Sequence, residues 1–143
     1  MSQQQFESGI KQIPYSQQRV YDKLSDLSHL EEFRDRMDAL SQENMKMEDI
    51  QFDRDSASCT VNPVGRIELR IIDREEPKCI KSEAVKSPVP ITIWVQIVPT
   101  AEEACKIKLT LRTELNIFVK GMLTKPLKEG IDKLADILAM IPY

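Results

Sequence analysis

The chain has 143 residues, 41% of them hydrophobic and 30% charged; this is too apolar for a disordered segment and enough for one core, so a single domain is expected over residues 1–143. A formal net charge of -3 gives no electrostatic reason to expect a nucleic acid or an anionic membrane as partner. Cys59, Cys79 and Cys105, with a lone His29 and no CxxC spacing, argue against a disulfide framework or a zinc site, and no cofactor is expected.

The opening "FESGIKQIP" carries Phe6, Ile10 and Ile13 and stops at Pro14, which cannot donate to a ladder, so it reads as a strand. In "YSQQRVYDKLSD", Ser16 is placed to cap a helix whose Val20, Tyr21 and Leu24 share one side. Ser28 with Glu31 three residues later is a capping-box pattern, and Leu30, Phe33, Met37 and Leu40 supply an apolar stripe behind it. Two short helices in tandem are expected.

From Met47 to about Leu115 the apolar period becomes two, and turn-like stretches ("DRDSAS", "NPVG", "REEPK", "SPVP", "TAEEA") punctuate it. That pattern predicts a meander of antiparallel strands. In "CKIKLTLRTEL", Cys105, Ile107, Leu109, Leu111 and Leu115 take one parity and charged or polar residues the other. "GRIELRIID" repeats the alternation with Ile67, Leu69 and Ile71. In "ITIWVQIVP", Ile91, Ile93, Val95 and Ile97 share a face, which leaves Trp94 on the wet one, covered either by long charged stems or by a second subunit.

The last segment, from about Asn116 to Ile141, places Ile117, Leu123, Leu127, Ile131, Leu134, Leu138 and Ile141 at helical steps, with Phe118, Met122 and Ile137 widening the stripe. Pro126 predicts a kink, or a restart with the proline in a first turn. No stretch approaches the roughly 20 apolar residues that span a bilayer, and "MSQQQFESGI" lacks the charged-then-apolar pattern of a signal peptide. The expectation is a cytoplasmic protein with no integral membrane segment.

This order resembles the helix-grip fold of the START-like superfamily, in particular the small bacterial SRPBCC proteins labelled polyketide cyclase or dehydrase. The resemblance rests on "FESGIKQIPYSQQRVYDKLSDLSHL", where a strand ending in Ile-Pro runs into a helix and "LSDLSHL", on "WVQIVP", and on the terminal helix. It covers nearly the whole chain. It implies an α+β fold in which an antiparallel sheet of about seven strands curves around the long C-terminal helix. It also implies a hydrophobic pocket between them, of the kind that binds lipids, sterols, plant hormones, quinones or polyketide intermediates. The glycine-rich loop of the birch-pollen-allergen branch is missing, since "NPVGR" offers one glycine, and no catalytic residue carries over.

The residues themselves give little chemistry. His29 follows Ser28 in a helical first turn without a nucleophile partner, Cys59 and Cys105 lie on strands as small hydrophobes, and Glu31/Glu32 and Glu102/Glu103 sit where solvated charge is ordinary. Thr113 and Ser82 are the main polar exceptions on the dry face, and Met37, Met45, Met47 and Met122 are either core filler or pocket lining. The expected function is binding of an apolar or amphipathic small molecule between helix and sheet. Ile67, Leu69, Ile93, Val95, Leu109, Leu111, Phe118, Met122 and Leu127 are its expected lining. The rival readings are a cyclase or dehydratase, which needs polar groups such as Tyr21, His29 or a carboxylate inside the cavity, and a filled-core module that dimerises. A monomer and a homodimer are both compatible with this reading.

Overall fold

The computed structural model describes residues 2–34, 46–62 and 65–143; the expectations for Met37, Leu40 and Met45 lie outside them. Eight strands form one antiparallel sheet: β1 (Ser2–Glu7), β2 (Lys11–Ile13), β3 (Lys46–Phe52), β4 (Ser56–Asn62), β5 (Gly65–Glu75), β6 (Cys79–Lys86), β7 (Ile91–Ala101) and β8 (Ala104–Leu115). The strand order is β1-β8-β7-β6-β5-β4-β3, with β2 also on β8.

The opening segment yields two strands because it breaks at Ser8–Ile10. There, three residues stand against Lys108 and Leu109, while β1 and β2 both keep register with β8. Ser8 bridges the break. Its N–H donates to the Leu109 carbonyl at 2.8 Å and its hydroxyl accepts from the Leu109 N–H at 2.9 Å, so this buried polar residue is satisfied.

Helix α1 (Gln17–Leu24) starts at Ser16, whose side chain accepts from the Arg19 N–H, and it buries Val20, Tyr21 and Leu24. The next element is a 3-10 helix, Leu27–Phe33, capped by Asp26 rather than by Ser28. Asp26 accepts from both the N–H and the hydroxyl of Ser28, at 3.0 and 2.5 Å, so the expected cap residue serves as a donor to the real one. Leu30 and Phe33 are buried as expected.

The final helix, α2 (Ile117–Ala139), runs through Pro126 as one segment and does not restart there. The proline's missing N–H would have paired with the carbonyl of Met122, an exposed residue, so water can take that acceptor. Asn116 caps the helix, its side chain accepting from the N–H groups of Phe118 and Val119 at 2.9 and 3.0 Å. Leu123, Leu127, Ile131, Ala135, Ile137 and Leu138 are buried, and the helix packs on β8, β1 and β2. Ile117 departs from the expected stripe: it is exposed, as are Phe118 and Met122.

Beyond α2 the chain tucks back. The Tyr143 hydroxyl donates to the Leu138 carbonyl at 2.6 Å, a carbonyl of the last helical turn, and the Arg19 Nε donates to the Tyr143 carbonyl at 2.7 Å.

Candidate functional site

The dry parity of β8 is sealed: Cys105, Ile107, Leu109, Leu111 and Leu115 are all buried under α2. Toward β4 and β5 the cover thins, and Cys59, Ile67, Leu69 and Val95 are only partly buried although they belong to the same apolar layer. A cavity of about 160 Å³ occupies that space. The sheet supplies most of its wall through Ile50, Phe52, Ala57, Ser58, Cys59, Ile67, Leu69, Ile80, Ser82, Ile93 and Val95. Leu24, Leu27 and Leu30 close it from the helical side, and Leu134 and Leu138 from α2.

The local sequence explains the gap. In β4, "SASC" puts Ala57 opposite Leu69 and Cys59 opposite Ile67, so small side chains stand where the neighbouring strand has large ones. Since α2 packs mainly on β8, β1 and β2, only Leu134 and Leu138 of its described side chains reach this space. Left dry and empty at about 24 cal/mol per Å³, a void of this size would cost about 4 kcal/mol, a large share of a domain's net stability.

Of the expected lining residues, Ile67, Leu69, Ile93 and Val95 meet at this wall. Leu109, Leu111 and Leu127 are buried in the seal between β8 and α2, apart from the cavity wall. Phe118 and Met122 stand outside altogether, with 87% and 58% of their surface exposed. The wall also draws on Leu24, Leu27, Leu30 and the small residues of β4, none of them expected. Their signal was present in the run Ser56-Ala57-Ser58-Cys59, whose low side-chain volume is unusual for a strand facing a core.

The wall's chemistry is almost wholly hydrocarbon. Ser58, Ser82 and Cys59 bring its only side-chain polar atoms among the described residues. Burial pushes the Cys59 thiol up to about 11, with Arg66 pulling weakly the other way, so it stays protonated and unreactive near neutrality. His29 lies elsewhere, exposed, its Nδ1 3.3 Å from the Lys23 carbonyl and its Nε2 4.0 Å from Asp26. Tyr21 is buried but does not line the cavity. Among the described residues no cluster of His, Cys, Asp and Glu could hold a metal ion, and no helix is long and apolar enough to cross a membrane.

The arrangement of one curved antiparallel sheet, short helices after the first strands and a long terminal helix over the sheet recurs in solved structures. Norcoclaurine synthase from Thalictrum flavum, in complex with dopamine and hydroxybenzaldehyde, superposes with a TM-score of 0.69 at 13% identity over 96% of this chain and 85% of its own. A START superfamily protein from Mycobacterium smegmatis does so with a TM-score of 0.54 at 12% identity, over 91% of this chain and 98% of its own. This is a START/SRPBCC-like fold. A protein from Thermus thermophilus also superposes, with a TM-score of 0.61 at 18% identity, over 95% of this chain and 94% of its own. No protein-family model matches the sequence, and no curated protein does.

Proposed function

We propose that this protein binds an apolar or amphipathic small molecule in the cavity bounded by β3–β7, the 3-10 helix and the C-terminal half of α2. The observation that carries the reading is the wall itself, almost wholly hydrocarbon, with Ser58 and Ser82 as its only hydroxyls among the described residues. A volume near 160 Å³ suits about one aromatic ring or a short branched chain, because an engineered apolar cavity of about 150 Å³ in another protein takes up benzene. A larger lipid, quinone or polyketide-like molecule would insert one end and leave the rest outside.

Binding is favoured over cyclisation or dehydration. Those reactions need a positioned acid or base, and no His, Tyr, Lys or carboxylate belongs to the wall among the described residues. The dimer reading loses its main support, because Trp94 is covered by its own chain: Arg112 and Lys81 lie 4.9 and 5.4 Å from the ring centre. A single domain acting in the cytoplasm is the setting that fits this reading.

The test is native mass spectrometry of the purified protein for a co-purified apolar molecule, together with thermal-shift titration against single-ring compounds such as indole. A ligand present at 100 times its Kd stabilises the fold by about 2.7 kcal/mol, a shift of several degrees. Absence of any bound mass together with no shift across a panel of rings and short chains would remove the proposal.

A further inference from the structure

The outer face of α2 carries a feature that the cavity does not use. Ile117, Phe118 and Met122 expose 83%, 87% and 58% of their surfaces, and a side-chain carbon added at Gly121 beside them would meet nothing within 4 Å. From Asn116 to Lys128 the charged residues are Lys120, Lys125 and Lys128, without a carboxylate; Glu114 and Glu129 flank the stretch. Among the described residues none of these lysines has an ion-pair partner. At about 100° per residue, Ile117, Phe118, Gly121, Met122, Lys125 and Lys128 fall within an arc of about 140°, which also takes in Glu129 just beyond the stretch; Lys120 lies about 60° outside it.

We propose that this face docks the protein onto an anionic bilayer surface, Ile117, Phe118 and Met122 entering the interfacial layer and Lys125 and Lys128 meeting headgroup phosphates. Apolar side chains beside lysines on one helix face match that boundary, where hydrocarbon and anionic oxygen lie a few ångströms apart. A second copy of the chain fits less well. Twofold pairing would set the same lysines against each other, and three apolar side chains fall short of the roughly 800 Å² per partner of a stable interface. The net charge of -3 does not decide the matter, because charges beyond about 8–10 Å are screened and the patch acts locally.

Vesicle flotation of the full chain tests this, with vesicles of phosphatidylcholine alone and of phosphatidylcholine mixed with phosphatidylglycerol. The protein is expected to float with the mixed vesicles only. Partition should fall about fivefold for each of Lys125→Gln and Lys128→Gln, and about tenfold for Phe118→Ser, with unchanged circular dichroism. Ala57→Leu, which fills the cavity, should float as the parent does. Failure to float with mixed vesicles overturns the proposal. So does flotation that is lost in Ala57→Leu but indifferent to the lysine changes, since lipid would then be entering the cavity. A dimer that Phe118→Ser dissociates, with flotation unaltered, would assign the face to a second copy instead.

Discussion

The backbone N–H of Gly9 donates to Oδ1 of Asp132 at 2.8 Å, so the break between β1 and β2 is clasped to the side of α2. Lys11 closes the clasp, its Nζ 3.3 Å from Asp132 and 2.8 Å from Asp136. The Gly9 N–H bond leads the causes that hold the Asp132 carboxyl below its usual range, with Lys11 acting in the same direction, and the bond to Asp136 leads the causes that raise Lys11.

Stability should therefore depend on this clasp in a defined pH window. A depressed carboxyl contributes above its unfolded value of about 3.9, and the contribution is lost as pH falls through the lower folded value. A raised lysine contributes below about 10.4, and its share is lost as pH rises through the higher folded value. Asp132→Ala should cost about 1 kcal/mol at pH 7, discounted because half the side chain faces water. Urea midpoints of parent and variant should converge as pH drops toward about 2; a gap that persists there would contradict the assignment.

The cap of the 3-10 helix gives a second prediction, because two adjacent candidates differ. Asp26→Ala removes the acceptor of the Ser28 N–H and should cost about 1 kcal/mol, whereas Ser28→Ala removes only a hydroxyl donor and should cost less than half of that. Chemical denaturation of both variants decides between them. Equal losses would restore Ser28 as the organising residue.

Cys59 reports on the cavity directly. Its thiol titrates near 11, so labelling by an apolar maleimide should be slow at pH 7 and accelerate about tenfold per pH unit below that value. A bound apolar molecule should protect it. Peptide mapping separates it from Cys79, and labelling of Cys59 that ignores a saturating ligand would place the ligand elsewhere.

Filling and enlarging the cavity should act in opposite directions. Ala57→Leu adds volume where space exists and should raise stability by about 0.5–2 kcal/mol while abolishing ligand-induced thermal shifts. Ile93→Ala enlarges the same space and should cost about 2–5 kcal/mol. Destabilisation by Ala57→Leu would mean that the space is already filled by protein atoms.

The alternating strands were legible because burial on one face leaves a period of two; every apolar residue expected on the dry side of β8 is buried. The long helix was legible in its inward stripe, since Leu123, Leu127, Ile131, Leu138 and Ile141 are buried, but not in its first turns, where Ile117, Phe118 and Met122 face outward. Phe118 lies about 180° around the axis from Leu127, so a stripe containing both was too wide to be one face, and the outward position of Phe118 could have been deduced. The cavity was harder to foresee. Its wall combines Leu24, Leu27 and Leu30 with strands far away in sequence, and a gap arises from which residues fail to touch, which periodicity does not encode. The capping error has a local cause: Asp26 and Ser28 are both good caps two residues apart, and the tighter turn of a 3-10 helix selected the earlier one.

Helix α2 packs mainly on one end of the sheet, over β1, β2 and β8, and this divides the inner layer into two populations with different tolerance for substitution. Residues under the helix are committed to keeping the molecule folded, so truncating Ile107 or Leu109 would weaken the whole structure. Positions 57, 59, 67 and 69 border open space, so changes in their size and shape should cost less than changes beneath the helix. Selectivity for a new guest could therefore be engineered on two neighbouring strands while the rest of the scaffold stays untouched.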